Sequence, residues 1–226
     1  MSTTRTLAWR LALVAGGLAM AAGGALHPES DGADPLREEL AVMTADPAWV
    51  PGHALTTVGT VLVVLGLWSV LRAGLWPTAV RRLLLVTTVV WALYVVETVM
   101  HLASAVDAHA LAHGGAAPVA FTHIGLAAVL YPLSGLALAT LALGLGRAWG
   151  GWRWLLAVPG VVGGLAHAVS VPLTLVLPTA ELSPFFAVGG ILTALWAVAT
   201  GLGGRQERPA AVSGTPVPRV ARAAVA

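Results

Sequence analysis

The chain has 226 residues, 58% of them hydrophobic and 10% charged, with a formal net charge of +2 and no cysteine. So small a charged fraction, against about 25% in an ordinary soluble domain, excludes a soluble globule, and the scatter of the basic residues, all of them arginine, excludes a nucleic-acid-binding face. Without cysteine there are no disulfides, thiolate metal sites, iron–sulfur clusters or cysteine nucleophiles, so any metal must rest on histidine and carboxylate.

Apolar runs of about 20 residues, enough for a hydrocarbon core of about 30 Å, fall at 8–26, 50–71, 83–105, 118–146, 153–177 and 184–204. If they alternate in direction, Arg5, Arg10, Arg72, Arg81, Arg82, Arg147, Arg153, Arg205, Arg208, Arg219 and Arg222 share one side, and Arg37 alone falls opposite. The positive-inside rule then predicts a multi-pass protein of the cell membrane with both termini cytoplasmic and segments 27–49, 106–117 and 178–183 outside. Trp9, Trp68, Trp76, Trp149, Trp152 and Trp154 fit an inner aromatic belt, with Trp49 on the outer side. The expected fold is an all-α polytopic membrane bundle over residues 1–205, followed at 206–226 by a proline-bearing, disordered cytoplasmic tail.

The first run has two readings. It is a retained span, or, with Arg10 near its start and the small-residue pattern Ala19-Met20-Ala21 near its end, a cleaved secretory signal that leaves five spans. Beyond it, 27–49 gathers Glu29, Asp31, Asp34, Glu38, Glu39 and Asp46, and the sequence from Asp34 predicts a short capped helix outside the bilayer.

Runs two to five carry polar or small residues at spacings of three and four. They are His53, Thr56, Thr57 and Thr60; then Thr87, Trp91, Tyr94, Glu97, His101 and Ser104; then His123, Tyr131 and Ser134; and last Gly160, Gly163, Gly164, His167, Ser170 and Thr174. Such stripes face a bundle interior. Runs two to five are therefore the predicted core, and runs one and six, with little beyond glycine and alanine, the predicted periphery. Gly160 and Gly164 predict a close approach of run five to a neighbour, and Pro132, Pro159 and Pro172 predict kinks in runs four and five.

Counted from the arginines at 1.5 Å per residue, Glu97 lies about 22 Å from Arg82 and His167 about 21 Å from Arg153. His101 and His53 come out at about 28 Å, with His27 and His123 near the same outer boundary. Ionisable groups at such depths are costly and mark function, so His53, Glu97, His101, His123 and His167 form the candidate site. Three chemistries fit it. Histidine with glutamate suits zinc, copper or iron, and two histidines at equal depth on different helices suit the axial positions of a b-type haem. Glu97, held in apolar surroundings, suits acid–base catalysis on a lipid-soluble, isoprenoid-like substrate. The same groups also suit a proton or ion relay in a transporter. The expected partners are the lipid bilayer and a metal or hydrophobic small molecule, with no nucleic acid. In the outer loop, Asp107, His109 and His113 are either a further metal site or simply solvated.

Overall fold

A computed structural model describes residues 3–28, 34–177, 180 and 182–206. Among these, every regular element is helical: α1 (Thr3–Ala25), α2 (Leu36–Ala45), α3 (Trp49–Ala73), α4 (Arg81–Ala103), α5 (Ala108–Ala112), α6 (Pro118–Trp149), α7 (Ala157–Val176) and α8 (Ser183–Gly203), with short 3-10 turns before α4, α5 and α7. Among the described residues, six helical spans are long and apolar enough to cross a membrane, at Leu7–Ala25, Trp49–Ala73, Thr78–Ala112, Pro118–Trp149, Gly151–Val176 and Ser183–Gly203. Beyond Gln206 the predicted tail lies outside the described residues, as do Glu29 and Asp31 of the acidic segment.

The helices stop where the sequence withdraws support for them. Gly74 takes a left-handed φ of 60°, which glycine enters without Cβ strain, and its N–H returns to the carbonyls of α3's last turn. Pro118 opens α6 at a position where a missing N–H costs nothing. The next two N–H groups, of Val119 and Ala120, donate to the carboxylate of Asp107 at 2.7 and 3.0 Å. Asp107 thus caps α6 from the preceding loop, with its charge at the positive end of the helix dipole.

Around the bundle the spans follow the order α1, α3, α4, α6, α7, α8 and back to α1, each packed on the one before and the one after. This corrects the expected core of the second to fifth runs, because α1 and α8 close the ring and Trp9 and Leu13 of α1 are fully buried. The reason lies in the small residues that made these helices look peripheral. Gly16 and Gly59 face one another across α1 and α3 so closely that a Cβ on either would come within 2.8 Å of the other's carbonyl oxygen. In an apolar medium that backbone approach drives association as well as a polar stripe does. Gly164 meets Gly135 of α6 in the same way, as the glycine spacing of run five predicts.

The two ends of the ring differ. At the arginine end, Trp9, Val70, Leu75, Trp76, Leu84, Leu145 and Trp149 belong to one buried apolar cluster. There the Arg10 guanidinium donates to the carbonyls of Gly201 (2.8 Å), Leu202 (2.9 Å) and Gly204 (2.6 Å), and Arg153 Nε donates to Gly203 O at 3.2 Å. Both close the exposed C-terminus of α8. At the other end α2 lies across the loop that follows α4, burying Leu40 against Leu111, Ala117 and Ala120, while Arg37 donates to Gly115 O at 3.0 Å. The predicted outer helix is present, but Asp34 does not cap it. Pro35 holds the N-cap position with no side-chain bond, and packing supplies the support instead.

Candidate metal centre

Two antiparallel registers bring the histidines together. Between α3 and α4, Trp49 Nε1 donates to Leu102 O (3.3 Å) and Thr57 Oγ1 to Thr98 O (3.2 Å). His53 and His101 lie between these ties, with ring centroids 4.3 Å apart. Between α4 and α6, Thr87 Oγ1 donates to Ala137 O (3.0 Å) and Trp91 Nε1 to Ser134 O (3.2 Å). Carried on along the pair, that register stacks His101 on His123 at 3.9 Å. His27, just past the end of α1, completes the column at 4.9 Å from His53. Trp49 forms a wall 4.0 Å from His53 and 5.1 Å from His101.

Hydrogen bonds set the tautomers of the two outermost rings. His53 Nδ1 lies 2.7 Å from Trp49 O and His27 Nδ1 lies 2.8 Å from Pro28 O. A carbonyl oxygen only accepts, so each Nδ1 carries the proton and each Nε2 is left with its lone pair. An imidazole held in this way by a backbone carbonyl is oriented and electronically prepared to ligate a metal. His53 Nε2 is buried without any partner. Desolvation pushes His27 below the ordinary imidazole pKa, with its bond to Pro28 partly opposing, although part of the residue is exposed.

Glu97 is the innermost acidic group, with no exposed surface. Its Oε1 lies 2.8 Å from His123 Nδ1 and 3.8 Å from His101 Nδ1. The shorter contact has the length of a hydrogen bond without its alignment, and both carboxylate oxygens and His123 Nδ1 are otherwise unpartnered. The two separations straddle the ~3.3 Å between neighbouring ligand atoms on a tetrahedral zinc ion with bonds of about 2.0–2.1 Å. Two groups of candidate ligand atoms result, His27 with His53 and His101, and Glu97 with His101 and His123, each within 4.8 Å of one another.

Of the residues singled out from sequence, the structure joins His53, Glu97, His101 and His123 in this cluster but does not bring His167 into it. His167 stacks on Tyr131 at 4.2 Å, meets Tyr94 edge-on at 5.2 Å, and places Nε2 3.2 Å from Ser134 Oγ. It matches Glu97 in depth but lies on α7, which packs against α6 and α8 rather than closely on α4. His27 joins the cluster although sequence gave it only a position near the outer boundary. Its signal in the sequence is that depth. His109 and His113 stack on each other at 4.2 Å in the outer loop, and Asp107, turned to the start of α6, is not theirs to share.

No family model, no curated protein and no solved structure matches the chain. What defines it is the arrangement itself, a ring of six helices long and apolar enough to span a membrane, with a His/Glu cluster at one end that could hold a metal.

Proposed function

We propose that this chain is an integral protein of the cell membrane, its arginine end cytoplasmic, that binds a transition-metal ion at the opposite end through Glu97, His101 and His123. The observation that supports it is the coincidence of three buried atoms, both Glu97 oxygens and His123 Nδ1, with no partner beyond the poorly aligned 2.8 Å contact between Oε1 and Nδ1, at ligand spacing. A buried polar group left unpaired costs about 1–3 kcal/mol, and more when charged. A proton shared by Glu97 and His123 would serve one oxygen alone, whereas a divalent cation serves the carboxylate and both imidazoles together. The donor set suits zinc, copper or iron. Haem fits less well, because ring contacts of 4.3 and 3.9 Å leave no gap for a macrocycle between His53, His101 and His123. Toward the arginine end Leu84, Trp91, Leu138 and Leu141 are packed and buried below the site, which favours a blind site over an open path for ions.

Metal analysis of the purified chain tests the reading. One zinc, copper or iron ion per chain should survive desalting, and both Glu97→Gln and His123→Ala should lose it while remaining folded. A folded wild-type chain that takes up none of the three would overturn it.

A further inference from the structure

An ion held by Glu97, His101 and His123 leaves one nitrogen of the histidine cluster unexplained, the buried and unpartnered Nε2 of His53. His53 belongs to the second set of ligand atoms, with His27 and His101. The two sets share His101. A neutral imidazole has one lone pair, so His101 completes one set at a time. The sets are therefore alternatives for one ion.

Three features order them. Access differs between the sets, because the outer one includes the exposed His27, whereas Glu97 and His123 of the inner one are both buried. The outer set is all neutral imidazole, so an ion there keeps its full charge, whereas the inner set adds a carboxylate in a poorly solvated place where opposite charge attracts strongly. His27 and His53 are also both fixed with Nδ1 on a carbonyl and Nε2 available.

We propose that His27, His53 and His101 form a capture site that takes a divalent zinc-class ion from the aqueous phase and passes it to Glu97 and His123, with His101 bound throughout. This rests on the inner site proposed above. In the transfer the bonds from the ion to His27 and His53 break, those to Glu97 and His123 form, and no electron moves.

The test uses the full chain in detergent, with Zn²⁺ uptake and its release to a chromophoric chelator followed by stopped flow. His27→Ala should slow both by about tenfold or more, the scale of a lost supporting group at a metal site, and leave the equilibrium affinity unchanged. The double variant Glu97→Gln with His123→Ala should retain a weaker site whose Cu²⁺ spin-resonance spectrum reports three nitrogen ligands, and adding His27→Ala should abolish it. Unchanged rates in His27→Ala, or a loss of affinity as large as the loss of rate, would overturn the hand-off. A double variant that binds nothing would remove the capture site and leave the inner site standing. Conversely, a double variant that binds with wild-type affinity would remove the inner site and leave the three histidines as the only one.

Discussion

The arginine end and the histidine end of this bundle each bury polar atoms without conventional partners, and the contrast between them separates packing from function. At the arginine end the orphans among the described residues are the Thr200 hydroxyl and, in larger number, the indole N–H groups of Trp9, Trp76 and Trp149. These rings meet edge to face, Trp9 on Trp76 at 5.8 Å and Trp76 on Trp149 at 5.7 Å, an arrangement in which an N–H can rest against a neighbouring π face. At the histidine end the orphans are a carboxylate and two ring nitrogens, which no aromatic face satisfies. The first kind of orphan is absorbed by the packing around it. The second calls for a ligand.

The contrast predicts opposite responses to substitution. Trp9→Ala should destabilise the bundle by about 3 kcal/mol, the low end for such a truncation, because a helix left in lipid loses packing but little burial. Thermal unfolding in detergent should show it, and whatever fraction stays folded should bind metal as the wild type does. Next in size is the ion itself. At a free concentration of about one hundred times its dissociation constant it should stabilise the fold by about 2.7 kcal/mol, and His101→Ala, which breaks both ligand sets, should cancel that gain. Without metal, Glu97→Gln should cost well under the Trp9→Ala loss, since the amide keeps the shape of a carboxyl group whose oxygens have no well-aligned partner. If Glu97→Gln costs as much as Trp9→Ala in the metal-free protein, the two ends do not differ in kind and Glu97 is structural.

The histidine end was more legible in the sequence than the arginine end, for a physical reason. An ionisable residue in an apolar run stands out, and its depth follows from counting residues, so Glu97, His101, His53 and His123 could be placed at shared levels before any packing was known. Depth says nothing of azimuth. That is why His167 matches Glu97 in depth yet belongs to Tyr131 and Ser134. Glycine and alanine carry no such signal, since Gly16 reads as lipid-facing filler until Gly59 is seen opposite it, and the peripheral placing of α1 follows from that. The threonine stripes were ambiguous in another way. Thr56 and Thr60 donate to Gly52 O and Thr56 O in their own helix, at 3.1 and 2.8 Å, so part of the polar pattern is spent locally and lines no path.

A smaller effect is expected of Arg10, which in the sequence marks only topology. Its three bonds to the end of α8 are charge-assisted, and Arg153 covers part of the same terminus. Arg10→Ala should therefore cost about 1–2 kcal/mol and act locally, with faster hydrogen exchange over the last turn of α8 and no change in metal affinity. Fraying that spread to α3 or α4 would mean that the arginine end holds the histidine site together, and the division between the ends would fail.

The finest division lies within the histidine half, between the metal cluster and the layer below it, and His167 tests it with the smallest expected effect. Ser134 Oγ already donates to Leu130 O at 2.6 Å, so toward His167 it accepts, and Nε2 of His167 is the donor. That places the proton of His167 on the nitrogen facing α6 and makes the residue a packing element between α6 and α7, held by its stack on Tyr131. His167→Phe keeps the ring and forfeits one hydrogen bond worth about 1 kcal/mol. Because neither ligand set includes His167, zinc affinity in this variant should stay near the wild-type value, well inside the 10- to 100-fold that the loss of an orienting neighbour costs a metal site. Equilibrium competition with a chelator reads this directly. A loss as large as that of Glu97→Gln would merge the two layers and make His167 part of the centre, as its depth in the sequence first implied.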